Sequence, residues 1–329
     1  MAKLARLAFY LVAFMAASPF TVAVPTGSPT TTDLTTTAEP TTTEPEPATT
    51  TEDPLTTTTA TTTTEAPAPT ETSPEDDGDP VLAGSIDRDC LTGEEYEGVA
   101  QGWNITLGGV PSYYTRPSLA WRLANPGPPR VLLFYSDVYS VFFMNNILHM
   151  DWFASQGYWV FGLDYFLGDP AQNQQQPYDV EAWVAFAKAR ADPLVLVWNA
   201  AVRTLFPTGT KYVAVGYCFG APYSMEAGAT TEVVAAAFAQ PALLTESHFY
   251  NITQPLFMSC AEIDMTFPTA SRNRAMDILS EIEAVHHLQV FGGTEHGFAT
   301  RADLTDPADV WAKETSANSI LGWFDRFTA

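Results

Sequence analysis

One stretch, Lys211 to Gly228 (KYVAVGYCFGAPYSMEAG), constrains the chain more than any other. It reads as a short apolar strand, a turn bounded by Gly216 and Gly220, and a helix of small residues. The turn is G-x-C-x-G, the cysteine form of the nucleophile elbow in which a strand hands over sharply to a helix. A residue at the tip of such a turn holds a strained backbone. Side chains two positions either side would collide with the neighbouring strand and helix, and glycine removes the collision. The helix that follows aims its first N–H groups at Cys218, which favours a thiolate and can hold an oxyanion. The competing reading of the same turn is a buried, inert cysteine.

The 329 residues carry a net charge of -23, but the charge is uneven. Residues 26–80 hold twelve Asp and Glu and no Lys or Arg. No basic patch stands out, which argues against nucleic acid as a partner and against anionic lipid. Residues 1–23 read as a secretory signal: Lys3 and Arg6, then the apolar run Leu7 to Ala17, then small residues near Ala23. A retained signal anchor is the alternative. Residues 24–80 are Thr, Pro, Glu and Ala, with too little to bury to offset the entropy of ordering a chain. On a secreted protein this composition predicts an O-glycosylated stalk, an extended spacer associated with a wall or cell surface. Asn104-Ile105-Thr106 and Asn251-Ile252-Thr253 are acceptor triplets for N-linked sugar.

From Val81 to Ala329 apolar strands alternate with helical patterns. Strands are expected at Val131–Ser136, Tyr158–Phe166, Tyr212–Val215, Val233–Ala239, Leu256–Cys260 and Leu288–Phe291. Helices are expected at Asn145–Gln156, Val180–Arg190, Leu194–Phe206, Pro268–Ala284 and Asp309–Phe327, with Asp192-Pro193 opening the third. Continuous apolar strands between helices imply an α/β fold with a mostly parallel sheet covered on both faces. In such sheets reactive residues gather at the carboxyl ends of the strands.

A thiol whose free pKa is about 8.5 needs a base to react near neutral pH. His149 falls in a helical pattern, His248 in a loop, and His286 and His287 at the start of a strand. His296 follows the last strand through Gly292-Gly293, where a base arriving last in chain order belongs. Asp264, just past the strand Leu256–Cys260, suits the residue that orients the imidazole; Glu262 is the alternative and a helix cap the competing role. The Phe219 N–H and an N–H at Val138 are the expected oxyanion donors. Asp137 ends the first core strand and would face the cysteine. Of three cysteines, only Cys90 with Cys260 could pair and leave Cys218 free; otherwise both are buried thiols.

In the order and spacing of its motifs the chain from Cys90 onward resembles the dienelactone hydrolase family, in its fungal branch. The matching residues are Cys90, Gly93, Glu97-Gly98 and Gly102, then Val110-Pro111-Ser112-Tyr113-Tyr114, Asp137, the GYCFG elbow, Asp264-Met265-Thr266-Phe267-Pro268, and His296-Gly297-Phe298 with Arg301. The resemblance implies an α/β-hydrolase fold and a triad of Cys218, His296 and Asp264. It also implies a thiol-activating role for Asp137 and a substrate-carboxylate contact at Arg301, with no cofactor and no metal. The expected activity is hydrolysis of a small ester or lactone through a thioester. The rival expectation is a hydrolase fold kept as a surface binding module.

Overall fold

The computed structural model describes residues 78–329. The expected signal peptide (residues 1–23) and all but the last three residues of the expected stalk (residues 24–80) fall outside them. Ten strands are formed: β1 (Val81–Ala83), β2 (Trp103–Leu107), β3 (Val110–Thr115), β4 (Arg130–Tyr135), β5 (Tyr158–Leu163), β6 (Lys211–Cys218), β7 (Ala235–Pro241), β8 (Leu244–Thr245), β9 (Leu256–Ile263) and β10 (His286–Glu295). The helices are α1 (Leu119–Ala124), α2 (Met144–Ser155), α3 (Val180–Arg203), α4 (Ala221–Gly228), α5 (Glu246–Tyr250), α6 (Thr269–Glu281), α7 (Phe298–Arg301) and α8 (Pro307–Thr328).

Eight strands form one sheet in the order β10-β9-β7-β6-β4-β5-β3-β2, and β1 pairs separately with β8. From β10 to β5 every neighbour is parallel. The hairpin β2–β3, turned at Gly108-Gly109, closes the far edge in antiparallel fashion. The alternation along β4 shows why the sheet is buried on both sides. Val131, Leu133 and Tyr135 enter the core beneath α3, and Leu132 and Phe134 enter the one beneath α2 and α8. The expected α/β-hydrolase fold is the fold observed. The hairpin was not anticipated.

One expected break is absent. Val180–Arg203 is a single helix with Pro193 inside it, not two helices opened by Asp192-Pro193. Proline removes one backbone bond and costs about 3 kcal/mol in a helix interior. Here Val184, Ala187, Ala191, Val195, Trp198 and Val202 form an unbroken buried stripe through the proline, while Pro193 itself faces solvent. At about 1.5–3 kcal/mol for each large apolar side chain buried, the stripe outweighs the break. Asp192 does not cap. Its carboxylate takes Lys188 at 2.8 Å and the Tyr223 hydroxyl at 2.9 Å.

Candidate active site

The elbow forms at the end of β6. Cys218 has φ +50°, a left-handed conformation that costs a non-glycine residue about 1–3 kcal/mol. The glycines are dictated by contact. A Cβ on Gly216 would lie 2.7 Å from the Ala221 Cα, and one on Gly220 would lie 2.6 Å from the Tyr135 carbonyl carbon. The second contact also presses the elbow against the end of β4, where Asp137 and Val138 follow. Val138 and Phe219 are fully buried, and neither backbone N–H has a protein acceptor among the described residues.

Asp264 and His296 meet as expected. The imidazole Nδ1 lies 3.1 Å from both Asp264 oxygens. Asp264 is itself fixed by the Thr266 and Phe267 amides at 2.9 and 3.1 Å, so it ties a turn and orients a histidine at once. Glu262 is exposed and accepts from the Gly293 amide at 2.8 Å instead.

The far nitrogen of the ring meets a sulfur, but not the one singled out. His296 Nε2 is 3.3 Å from Cys90 Sγ. Cys90, Cys218 and His296 place one donor atom each within 4.8 Å of one another. Two thiols therefore share one imidazole. All three cysteines are free and buried, and Cys90 sits beside Cys218 rather than Cys260. Cys90 rides on the short turn Asp89–Leu91 of an arm, residues 84–102, that has no strand and no α-helix. Asp87 Oδ1 accepts from the Asp89 and Cys90 amides at 3.0 and 3.2 Å. Arg301 donates from Nη2 to the Cys90 carbonyl at 3.1 Å and from Nε to the Thr92 carbonyl at 2.7 Å.

Asp137 and Arg301 are both at the site, bonded to each other. Asp137 Oδ2 accepts from Arg301 Nη1 and from the Thr300 hydroxyl, the latter at 3.0 Å. Its Oδ1 takes the Tyr139 amide at 3.1 Å and Asn146 Nδ2 at 3.0 Å. Both side chains of the ion pair are 0% exposed. Arg301 thus clamps the arm to the end of β4, and the protein itself occupies most of its donors.

Charge is divided unequally between the sulfurs. The neighbouring Cys218 thiol pulls the Cys90 thiol well below its ordinary range against the effect of burial, and the adjacent imidazolium helps. Burial, and then the neighbouring Cys90 thiolate, push Cys218 well up. Burial opposes charge on His296, yet Cys90 and Asp264 together raise it above a free histidine. These shifts favour a thiolate on Cys90 beside a positively charged His296. The other buried histidine goes the opposite way. His149 stacks on Phe153 at 5.1 Å with no carboxylate beside it, and burial holds it down to about 3.

Comparison with known proteins agrees with this architecture. Residues 119–328 match the dienelactone hydrolase family. The chain belongs to the dienelactone hydrolase family. Dienlactone hydrolase 1 of Gibberella moniliformis is 32% identical over 260 residues, which cover 76% of this chain and 97% of that one. Dienlactone hydrolase 2 of the same organism is 32% identical over 255 residues, 75% and 97% of the two chains. A dienelactone hydrolase-like promiscuous phosphotriesterase from metagenomic libraries superposes with a TM-score of 0.52 over 70% of this chain and 98% of its own, at 14% identity, which speaks to the fold alone. Membership in the dienelactone hydrolase family implies hydrolase activity on a small molecule.

Proposed function

We propose that the chain is a secreted hydrolase of small esters or lactones, with Cys218 as nucleophile, His296 as base and acid, and Asp264 orienting the imidazole. The observation that carries this reading is the strained cysteine at the elbow, within 4.8 Å of a histidine whose other nitrogen is held by a buried carboxylate. Cys90 enters the chemistry as the first proton acceptor. The Cys218 proton passes to the Cys90 thiolate as Cys218 sulfur attacks the carbonyl carbon, and the oxyanion meets the Phe219 and Val138 N–H groups. The intermediate expels the alkoxide, which takes the imidazolium proton from His296 and leaves a thioester. Water then gives a proton to His296 and attacks the thioester. Cys218 leaves as thiolate, the acid departs, and the Cys90 proton completes the cycle.

Residues 1–23 are proposed to direct export and residues 24–80 to act as the spacer, with wall or surface association through it. Among the described residues no helix is long and apolar enough to cross a membrane. Asn104 and Asn251, the two sugar acceptors, are both exposed. The mutual engagement of Asp137 and Arg301 favours a neutral ester or lactone over one carrying a carboxylate, because Arg301, whose charge acts on Cys218, is already paired.

The full chain, kept reduced, is tested on a panel of short acyl esters and lactones. Turnover that disappears in Cys218→Ala supports the reading. Parent and variant with equal turnover would remove Cys218 as nucleophile. No turnover by the folded parent on any panel member would favour the binding-module reading.

A further inference from the structure

We propose that Cys90, Cys218 and His296 form a binding site for one thiophilic divalent cation, for which zinc is the biological candidate. Its consequence for catalysis rests on the hydrolase reading above; the binding itself does not.

The donor set is soft: two thiol sulfurs and one imidazole nitrogen, brought from an N-terminal arm, an elbow after β6 and a loop after β10. Zinc–sulfur bonds of about 2.3 Å and zinc–nitrogen bonds of about 2.0 Å require tetrahedral edges of about 3.5 Å between S and N and about 3.8 Å between two sulfurs. The Cys90 Sγ to His296 Nε2 separation is 3.3 Å, and all three donors lie within 4.8 Å. An ion therefore needs no pair of donors to close by more than about 1.3 Å. Thiolate donors disfavour calcium and magnesium, which demand oxygen.

The supports of the donors are those of a built site. Asp264 holds His296 Nδ1 at 3.1 Å, so the ring presents Nε2 to the ion and gains basicity. The Cys90 turn is pinned at its amide by Asp87 and at its carbonyl by Arg301. Cys260 provides the internal contrast. It is equally buried but belongs to the cluster of Phe238, Met258, Phe267 and Leu279, and among the described residues no second thiol or imidazole groups with it. Three protein donors leave a fourth position for water or a substrate oxygen. With the ion in place the sulfur of the elbow and the nitrogen of the base are both coordinated, so ester turnover stops until the ion is removed.

The test uses the full chain, reduced with a non-thiol reagent and freed of metal by dialysis. Zinc is titrated by calorimetry, and cobalt and cadmium report the donors by their tetrahedral and thiolate-to-metal absorption bands. The expected result is one ion per chain with a two-sulfur band. Cys90→Ser and Cys218→Ser should each weaken the band by about half, Cys260→Ser should leave it intact, and Asp264→Asn should weaken zinc binding about 10- to 100-fold. Far-ultraviolet circular dichroism confirms that each variant is folded. No one-to-one binding, or a band that is undiminished in Cys90→Ser or is lost in Cys260→Ser, overturns the site. Failure of binding with ester turnover intact leaves the hydrolase reading standing. Binding with no turnover by the metal-free chain supports the metal site and sinks the hydrolase reading.

Discussion

The two sulfurs of the site are held in opposite ways. Cys218 is positioned by its immediate neighbours. A strand, two glycines forced by contact and a helix fix it, and the five consecutive letters GYCFG mark it. Cys90 is positioned by residues far along the chain. Arg301 ties its carbonyl, Thr266 lies 3.9 Å from its sulfur, and His296 receives it, while its own arm has almost no regular structure. The elbow is rigid because the local backbone permits one shape. The arm is rigid only because the rest of the fold is complete. A motif search sees the first kind of placement and misses the second.

Four substitutions break or sharpen this contrast. Cys218→Ala should lower kcat/KM by about 10⁴-fold or more while leaving the melting temperature nearly unchanged, since removal of a nucleophile leaves only residual binding catalysis. Steady-state kinetics beside calorimetry checks both halves. Arg301→Met should reverse that pattern. It strands a fully buried Asp137 carboxylate, and breaking a buried pair costs about 3–5 kcal/mol. Denaturant unfolding should show the loss, and hydrogen exchange should rise in residues 84–102 well before it rises in β6. Asp137→Asn in the same background should recover part of the stability if the stranded charge is the cause.

Cys90→Ser should have an intermediate effect, a fall in kcat/KM of about 10²-fold, because general acid–base assistance is worth about 10²–10⁴. The pH profile separates this role from a packing defect. In the parent the thiolate–imidazolium pair raises His296 above its free value. Its stabilising contribution is complete below about 6.5, the free histidine value, and is lost as pH rises through the folded value of about 10. Without the Cys90 thiolate that alkaline limb should move to lower pH, whereas a merely structural defect would lower the rate at every pH and leave the limb in place.

The smallest effect belongs to His149, which contacts the elbow strand through the Tyr217 hydroxyl at 3.4 Å. Its pKa is held down to about 3 by burial, so the stability it contributes is present above about 6.5 and is lost as pH falls toward 3. Unfolding free energy should therefore decline as pH falls through that window. His149→Phe should flatten that part of the slope. An unchanged slope would show that the imidazole is not the group responsible.

The pattern of legibility follows from the same physics. The central strands were readable because burial on both faces demands unbroken apolar runs, as in VLLFY of β4. Asp264 and His296 were readable because strand ends in a parallel sheet converge on one rim, so order along the chain stands in for distance. The continuity of α3 was not readable, because local preference at Pro193 points to a break and only the stripe that packs beneath it says otherwise. Cys90 was noticed as a family residue, with a bridge to Cys260 and a buried free thiol as the two readings; the structure shows the free thiol, beside Cys218. Nothing nearby in sequence records that Arg301 draws the arm across the elbow. The one available hint was Asp87 three residues ahead, a carboxylate suited to closing a turn on the Cys90 amide.

The strand order has a consequence for timing. β10 lies at the outer edge of the sheet, and the loop carrying His296 follows all ten strands in chain order. A growing chain that already carries the elbow still lacks that ring. On the proposed mechanism the sulfurs therefore have no imidazole partner until the last strand has been made.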